Sequence, residues 1–226
     1  MRRLLRFKIL APLIFMVAVC ISAPTLAQTN SRVAAAQLQK LLNGNRRYFG
    51  NRTRHVNQRP NGGPQYPFAA IVSCSDARVP PEILFDQGVN DLFVVRVAGN
   101  TVGDPAAAHP AVIDTVQLQS LAFAVQALQV RLILVLGHDQ CGAVKGALSQ
   151  CGQPSIGPMF QNICPAVSSV KESKQQLPDA IAANVRNQVK LLQATPPFAE
   201  MVTNNQLRIV GGVNNIATGR VTLLKP

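Results

Sequence analysis

Five side chains from two places in the chain are of the types and spacings that build a metal centre. His138-Asp139-Gln140-Cys141 sets an imidazole three residues from a thiol. Both can reach one ion if a strand turns into a helix there, as Gly142 suggests. Cys74 offers a second thiol. Sulfur with imidazole nitrogen suits zinc, and three protein ligands leave a fourth tetrahedral position open for water. An H-x-x-C pair alone is a weak signal, since a histidine near a cysteine is usually coincidence. A cysteine at a strand end is also often plain apolar filler. The residues after Cys74 weigh against that: Ser75-Asp76-Ala77-Arg78 puts a carboxylate beside the metal and an arginine in reach of it. A guanidinium holds a carboxylate bidentately and keeps it ionised. The plainer alternative is a surface ion pair, which contributes little.

These groups converge only if the fold brings them together. Four short apolar runs, 68–73, 92–97, 132–136 and 207–210, are rich in Val and Ile, unalternating and bounded by turn residues. Such runs read as strands buried on both faces, as in a parallel sheet. Helical patterns separate most of them. Residues 111–128 contain no Gly or Pro, and 181–192 follow Pro178-Asp179. The spacing also predicts an N-terminal helix over 33–49, with 51–67 as loop around Asn61-Gly62-Gly63-Pro64. Strands alternating with helices define an α/β domain, a mainly parallel sheet flanked by helices. Cys74 follows the first strand, Arg96 to Asn100 close the second, and His138 follows the third. Sites in open parallel sheets gather at those carboxyl ends.

Three segments in this order, Cys74-Ser75-Asp76-Ala77-Arg78-Val79, Arg96-Val97-Ala98-Gly99-Asn100 and Gly137-His138-Asp139-Gln140-Cys141-Gly142, resemble the signatures of the β-class carbonic anhydrases. The likeness continues through Pro80-Pro81-Glu82, residues 91–96, 183–188 and Thr218-Gly219-Arg220-Val221, so it spans nearly the whole chain after the leader. The resemblance implies the β-carbonic anhydrase fold with an N-terminal helical arm. It implies a lyase that hydrates carbon dioxide reversibly to bicarbonate and a proton, with Zn2+ held by Cys74, His138 and Cys141. It implies a zinc-bound hydroxide beside Asp76, which Arg78 orients. Gln65, just before the first strand, resembles the family glutamine that donates to bound substrate; on its own it is a solvated loop residue. Gly99 would let backbone approach the site. Phe85 and Val89 are candidates for an apolar pocket, with a partner subunit as one source. A homodimer or higher homo-oligomer is implied, the N-terminal helix packing on the partner.

Departures from the pattern leave the ligands alone. Ala77 stands where Ser is frequent, Val97 where Asn is, and Phe123 where many members carry Tyr. Ile71 replaces the Trp of one branch's inhibitory bicarbonate site, and Asn214 or Asn215 lies where its Tyr would be. That regulatory site is therefore expected to be absent and the metal site open over the ordinary pH range. Two rival readings keep the same ligands: a hydrolase of a carbon dioxide analogue such as carbonyl sulfide, and a zinc-binding protein without activity. A structural zinc site is more often closed by a fourth Cys or His, which disfavours the second.

Composition bounds the remainder. The 226 residues carry a formal charge of +12, are 47% hydrophobic and contain no Trp. Arg2, Arg3, Arg6 and Lys8 precede an apolar run from Ile9 to Ile21, and Thr25-Leu26-Ala27 offers a small residue for cleavage. This reads as a signal peptide over 1–27, too short to anchor in a membrane, with the catalytic domain over 28–226. Its removal takes four basic residues and lowers the charge to +8. The remaining Arg and Lys are scattered without aromatic interleaving, which excludes a nucleic-acid partner. The mature chain would be periplasmic or secreted, with no stable membrane insertion. Cys151 and Cys164 flank a Gly/Pro loop and read as a local disulfide, with two free thiols as the alternative.

Overall fold

The structure is a computed structural model that describes residues 25–55, 58–59, 62–103, 115–153 and 157–225. The leader read over 1–27 lies almost wholly outside the described residues, as do the first four residues of the helix expected from 111.

Helix α1 spans Leu26–Phe49, seven residues more than the periodicity predicts. Residues 26–32 are mostly exposed and show no apolar stripe; they are helical because Thr25 starts the helix early. Its hydroxyl accepts from the Gln28 N–H, and the Gln28 side chain accepts from the Thr25 N–H, a reciprocal capping box. Ala34, Leu38 and Leu41 form the buried stripe. One turn on, Gly44 meets α2 (Pro81–Leu84) where any Cβ would overlap the Phe85 carbonyl. Asn45 is buried beside it. Its amide donates to the Leu84 and Gly219 carbonyls and its oxygen accepts from the Val221 N–H.

Five strands form one sheet: β1 (Ala69–Ser73), β2 (Leu92–Arg96), β3 (Leu132–His138), β4 (Arg208–Asn215) and β5 (Arg220–Leu223). The order is β2-β1-β3-β4-β5, parallel except for β5, which folds back antiparallel on β4. β1 and β3 are buried at every position, which is why their runs are continuous rather than alternating. Alternate side chains still serve different layers. Ala69, Ile71, Leu132, Leu134 and Leu136 pack with Leu38, Leu41, Leu84 and Phe85 under α1. Ala70, Val72, Ile133 and Val135 pack on the opposite face against three helices: α3 (Val116–Gln126), α7 (Gln176–Ala194) and α8 (Phe198–Thr203).

Three further helices close the carboxyl end of the sheet: α4 (Gly142–Gln150), α5 (Pro158–Gln161) and α6 (Cys164–Ser168). Cys151 and Cys164 form a disulfide with Cα atoms 5.6 Å apart, joining the end of α4 to the start of α6. No helix among the described residues is long and apolar enough to cross a membrane.

Candidate metal centre

Cys74 stands one residue beyond β1. His138 is the last residue of β3, a strand two residues longer than its apolar run, and Cys141 caps the amino end of α4. The parallel pairing of β1 with β3 therefore brings both strand ends to one spot. One ligand atom from each residue lies within 4.8 Å of the other two, and all three residues are buried. Cys74 Sγ and Cys141 Sγ are 4.0 Å apart. Among the described residues no other three His, Cys, Asp or Glu side chains gather in this way.

The imidazole is set for coordination. His138 Nδ1 lies 2.8 Å from the Asp139 carbonyl, which can only accept. The proton is therefore on Nδ1, and the Nε2 lone pair is free. Nε2 is buried without a hydrogen-bond partner, a costly state unless it binds something. A carbonyl holding the far ring nitrogen is the usual support of a metal-bound histidine. The turn itself is braced by Asp139. Its carboxylate accepts from the Ile216 N–H at 2.8 Å and from the Asn215 amide at 2.9 Å.

The two thiols are driven in opposite directions, and Cys74 is the one primed to lose its proton. Cys74 is pulled down, first because the Cys141 thiol donates to it. Burial opposes this, while His138 and the N–H groups of Asp76 and Gly99 assist. Cys141 is pushed up, chiefly by that same bond to Cys74 and then by burial. Burial works against charge on His138, but the neighbouring Cys74 sulfur, the Asp139 carbonyl and the nearby Asp76 carboxylate outweigh it, so the imidazole is raised. A thiolate at Cys74 beside a second sulfur and an imidazole nitrogen, among apolar side chains, is a setting that suits a cation. A sulfur-sulfur-nitrogen donor set with one side open suits zinc.

Asp76 stands at the open side. Its Oδ2 is 3.9 Å from His138 Nε2. Arg78 grips both carboxylate oxygens, Nε to Oδ1 at 2.9 Å and Nη2 to Oδ2 at 2.6 Å, and its N–H also donates to Oδ1 at 3.0 Å. These bonds hold the Asp76 carboxyl well below the usual carboxylate range against the opposing effect of burial. Gly99, in the left-handed region at φ 71°, directs its N–H to Cys74 Sγ at 3.4 Å.

The other sequence candidates are placed differently. Gln65 lines a groove with Val89, Asn90 and Leu92 at the amino ends of β1 and β2. β1 alone separates it from Cys74 by about 17 Å at 3.3 Å per residue, so one chain does not bring Gln65 to the metal ligands. Phe85 is fully buried in the core under α1, not in a pocket. Val89 is half exposed. Phe123 sits on the outer side of α3, its ring 6.4 Å from Phe93. Sequence reading missed what Arg96 and Asp139 do, because Arg96 acts on carbonyls, which leave no mark in the sequence, and Asp139 on a backbone N–H and a side chain more than 70 residues away.

A mainly parallel sheet with a cysteine-histidine-cysteine cluster that could hold a metal ion, and an arginine-held aspartate beside it at the carboxyl edge, defines an α/β protein with a candidate metal centre. The carbonic anhydrase family model matches residues 69–221. The chain is 34% identical over 206 residues to a carbonic anhydrase of Mycolicibacterium smegmatis, covering 86% of this chain and 94% of that one. It is 32% identical over 200 residues to carbonic anhydrase 2 of Mycobacterium tuberculosis, covering 83% and 91%. The solved structure of the β-carbonic anhydrase CcaA superposes with a TM-score of 0.62 at 27% identity, over 72% of this chain and 81% of that one. The chain belongs to the carbonic anhydrase family, in its β class.

Proposed function

We propose that this protein hydrates carbon dioxide reversibly at a zinc ion held by Cys74 Sγ, His138 Nε2 and Cys141 Sγ, with Asp76 and Arg78 as a working pair. The observation that carries the reading is the juxtaposition of three converging ligand atoms with a carboxylate whose two oxygens are already taken by one guanidinium. Zinc, when bound, supplies the Lewis acidity that makes water ionise near neutral pH, as in the carbonic anhydrases with three histidine ligands. The protein does the rest. Asp76, kept ionised by Arg78, is an acceptor only. It therefore favours a hydrogen-bond donor at the open position and fixes which lone pair of the attacking oxygen faces substrate. Val79, Val144, Ile163 and Ile181 pack around the ligands, an apolar surround fit for an apolar gas.

Gln65 acts in this scheme as a substrate amide donor from a neighbouring subunit, since its own chain holds it at the far end of β1. Support for a homodimer or higher assembly is the exposure of Val116, Ile83, Val89 and Phe123 and the half-buried edge strand β2. The basic and apolar leader supports export and cleavage near Ala27, giving a catalytic domain over 28–226 in the periplasm or outside the cell. The Cys151–Cys164 disulfide supports the same oxidising location.

Stopped-flow carbon dioxide hydration by the purified mature protein, before and after zinc removal, tests the central reading. Rapid hydration that disappears with zinc and returns with it is the expected result. A zinc-loaded protein no faster than buffer would overturn it in favour of an analogue hydrolase or a zinc-binding protein.

A further inference from the structure

Arg96 closes β2 in register with Ser73, and its guanidinium reaches across to the segment after β1. Nε–H donates to the Cys74 carbonyl at 3.1 Å and Nη2 to the Asp76 carbonyl at 2.6 Å. The Asp76 carbonyl also accepts from the Val79 N–H at 3.2 Å. Residues 74–76 belong to no helix or strand, so no ladder of backbone bonds fixes them. Among the described residues Arg96 enters no ion pair with a carboxylate. Its charge faces two carbonyl dipoles instead, and charge-assisted bonds of this kind are the stronger ones. Asp76 is thus divided between two arginines. Arg78 holds the carboxylate, and Arg96 holds the main chain that carries it.

We propose that Arg96 is a positioning residue for the reaction: its clamp on the Cys74 and Asp76 carbonyls sets where the Asp76 carboxylate stands relative to the Cys74 ligand. This rests on the reading that Asp76 works at the metal. The planar fork of a guanidinium can meet two carbonyls two residues apart in a fixed geometry; a lysine ammonium is a point donor without that fork. Without the clamp the residues after Cys74 are free to rotate and Asp76 moves, while Cys74, next to the end of β1, keeps the Gly99 N–H on its sulfur, and His138 and Cys141 are held by β3 and the start of α4. The effect should therefore pass through Asp76 rather than through the metal.

A double-mutant cycle separates this role from plain stabilisation. Carbon dioxide hydration and zinc content are measured for wild type, R96Q, D76N and R96Q/D76N, with R96K beside them in case R96Q does not fold. The expected result is full zinc content with a rate lowered about 10- to 100-fold in R96Q and R96K, as for other supporting residues of metal sites. The double variant should be no slower than D76N, because Arg96 has nothing left to position. A wild-type rate in R96K or R96Q would overturn the proposal, and so would losses that multiply in the double variant. Cobalt substitution gives a readout without turnover. The visible absorption of the cobalt protein should change in R96Q or R96K in the same sense as in D76N, and an unchanged spectrum would overturn the proposal. If zinc-loaded wild type does not hydrate carbon dioxide, the proposed function falls, and the cobalt spectra alone decide the role of Arg96.

Discussion

A Cβ placed on Gly99 would stand 2.7 Å from Ile163 Cδ1 and 3.3 Å from the Ala143 side chain. Gly99 is thus pressed between α4 and the approach to α6 while its N–H points at Cys74 Sγ. Two constraints meet there. The φ of 71° costs an alanine about 1–2 kcal/mol, and the methyl group must push Ile163 aside. G99A should therefore lose about that much stability in denaturant melts and bind zinc more weakly in chelator competition. G99A/I163V should recover only the steric part. Unchanged zinc affinity in a folded G99A would show that the N–H bond to Cys74 contributes nothing to the ligand.

The disulfide acts on the same seam. It joins the end of α4, whose other end carries Cys141, to Cys164, the neighbour of Ile163. A bridge with a sequence separation of 13 restricts the unfolded chain by an amount on the order of 3 kcal/mol. Replacing both cysteines by serine should lower stability by about that much. Zinc release to a chelator should accelerate, because α4 and Gly99's backing are no longer tied. Release at the wild-type rate from the folded double-serine variant would confine the disulfide to global stability.

Why some of this was legible in sequence and some was not has a physical answer. β1 and β3 are buried on both faces, so burial wrote itself into unbroken runs of Val, Ile and Leu. Three clusters of polar residues at the ends of such runs located the site. β5 left no such trace. It has four residues, alternates between exposed and buried, and exists because the Asn215–Arg220 turn folds it onto β4. The short helices α5 and α6 lack room for a periodic stripe. Gln65 carried the right side chain, but which end of β1 it occupies relative to Cys74 becomes visible only in three dimensions. The Arg96 clamp was hidden for another reason: its targets are carbonyls, which every residue has.

Asp76 and Arg78 make a direct prediction about rate. D76N keeps the shape of the side chain but replaces one acceptor oxygen with a donor nitrogen, so the open position loses its obligate acceptor. Hydration should fall about 10- to 100-fold with zinc retained. R78K keeps a positive charge but cannot grip both oxygens, and should fall by less. Stopped-flow rates with metal content by atomic emission check both. A D76N protein at the wild-type rate would remove Asp76 from the mechanism.

Asp86 predicts how stability depends on pH. It is buried at the end of α2, takes the Arg47 guanidinium, and accepts from the Arg54 and His55 N–H groups at 2.9 and 3.0 Å. Burial works to raise its pKa, yet these bonds win and lower it from 3.8 to about 2. A carboxyl depressed by folding stabilises the native state fully above its unfolded pKa, and that contribution disappears as pH falls through the folded value. Its size here is about 2 kcal/mol. D86N removes the charge, and one acceptor with it, at little backbone cost, because Asp86 sits at φ 45° and asparagine also tolerates that region. Denaturant unfolding at pH 7 should show D86N less stable by about 2 kcal/mol. By pH 3 about half of that gap should be gone, since the wild-type advantage is then being titrated away. A gap that stays constant from pH 7 to pH 3 would mean that the loss in D86N is one of packing and that the Arg47 pairing does not set the acid stability of the α1–α2 junction.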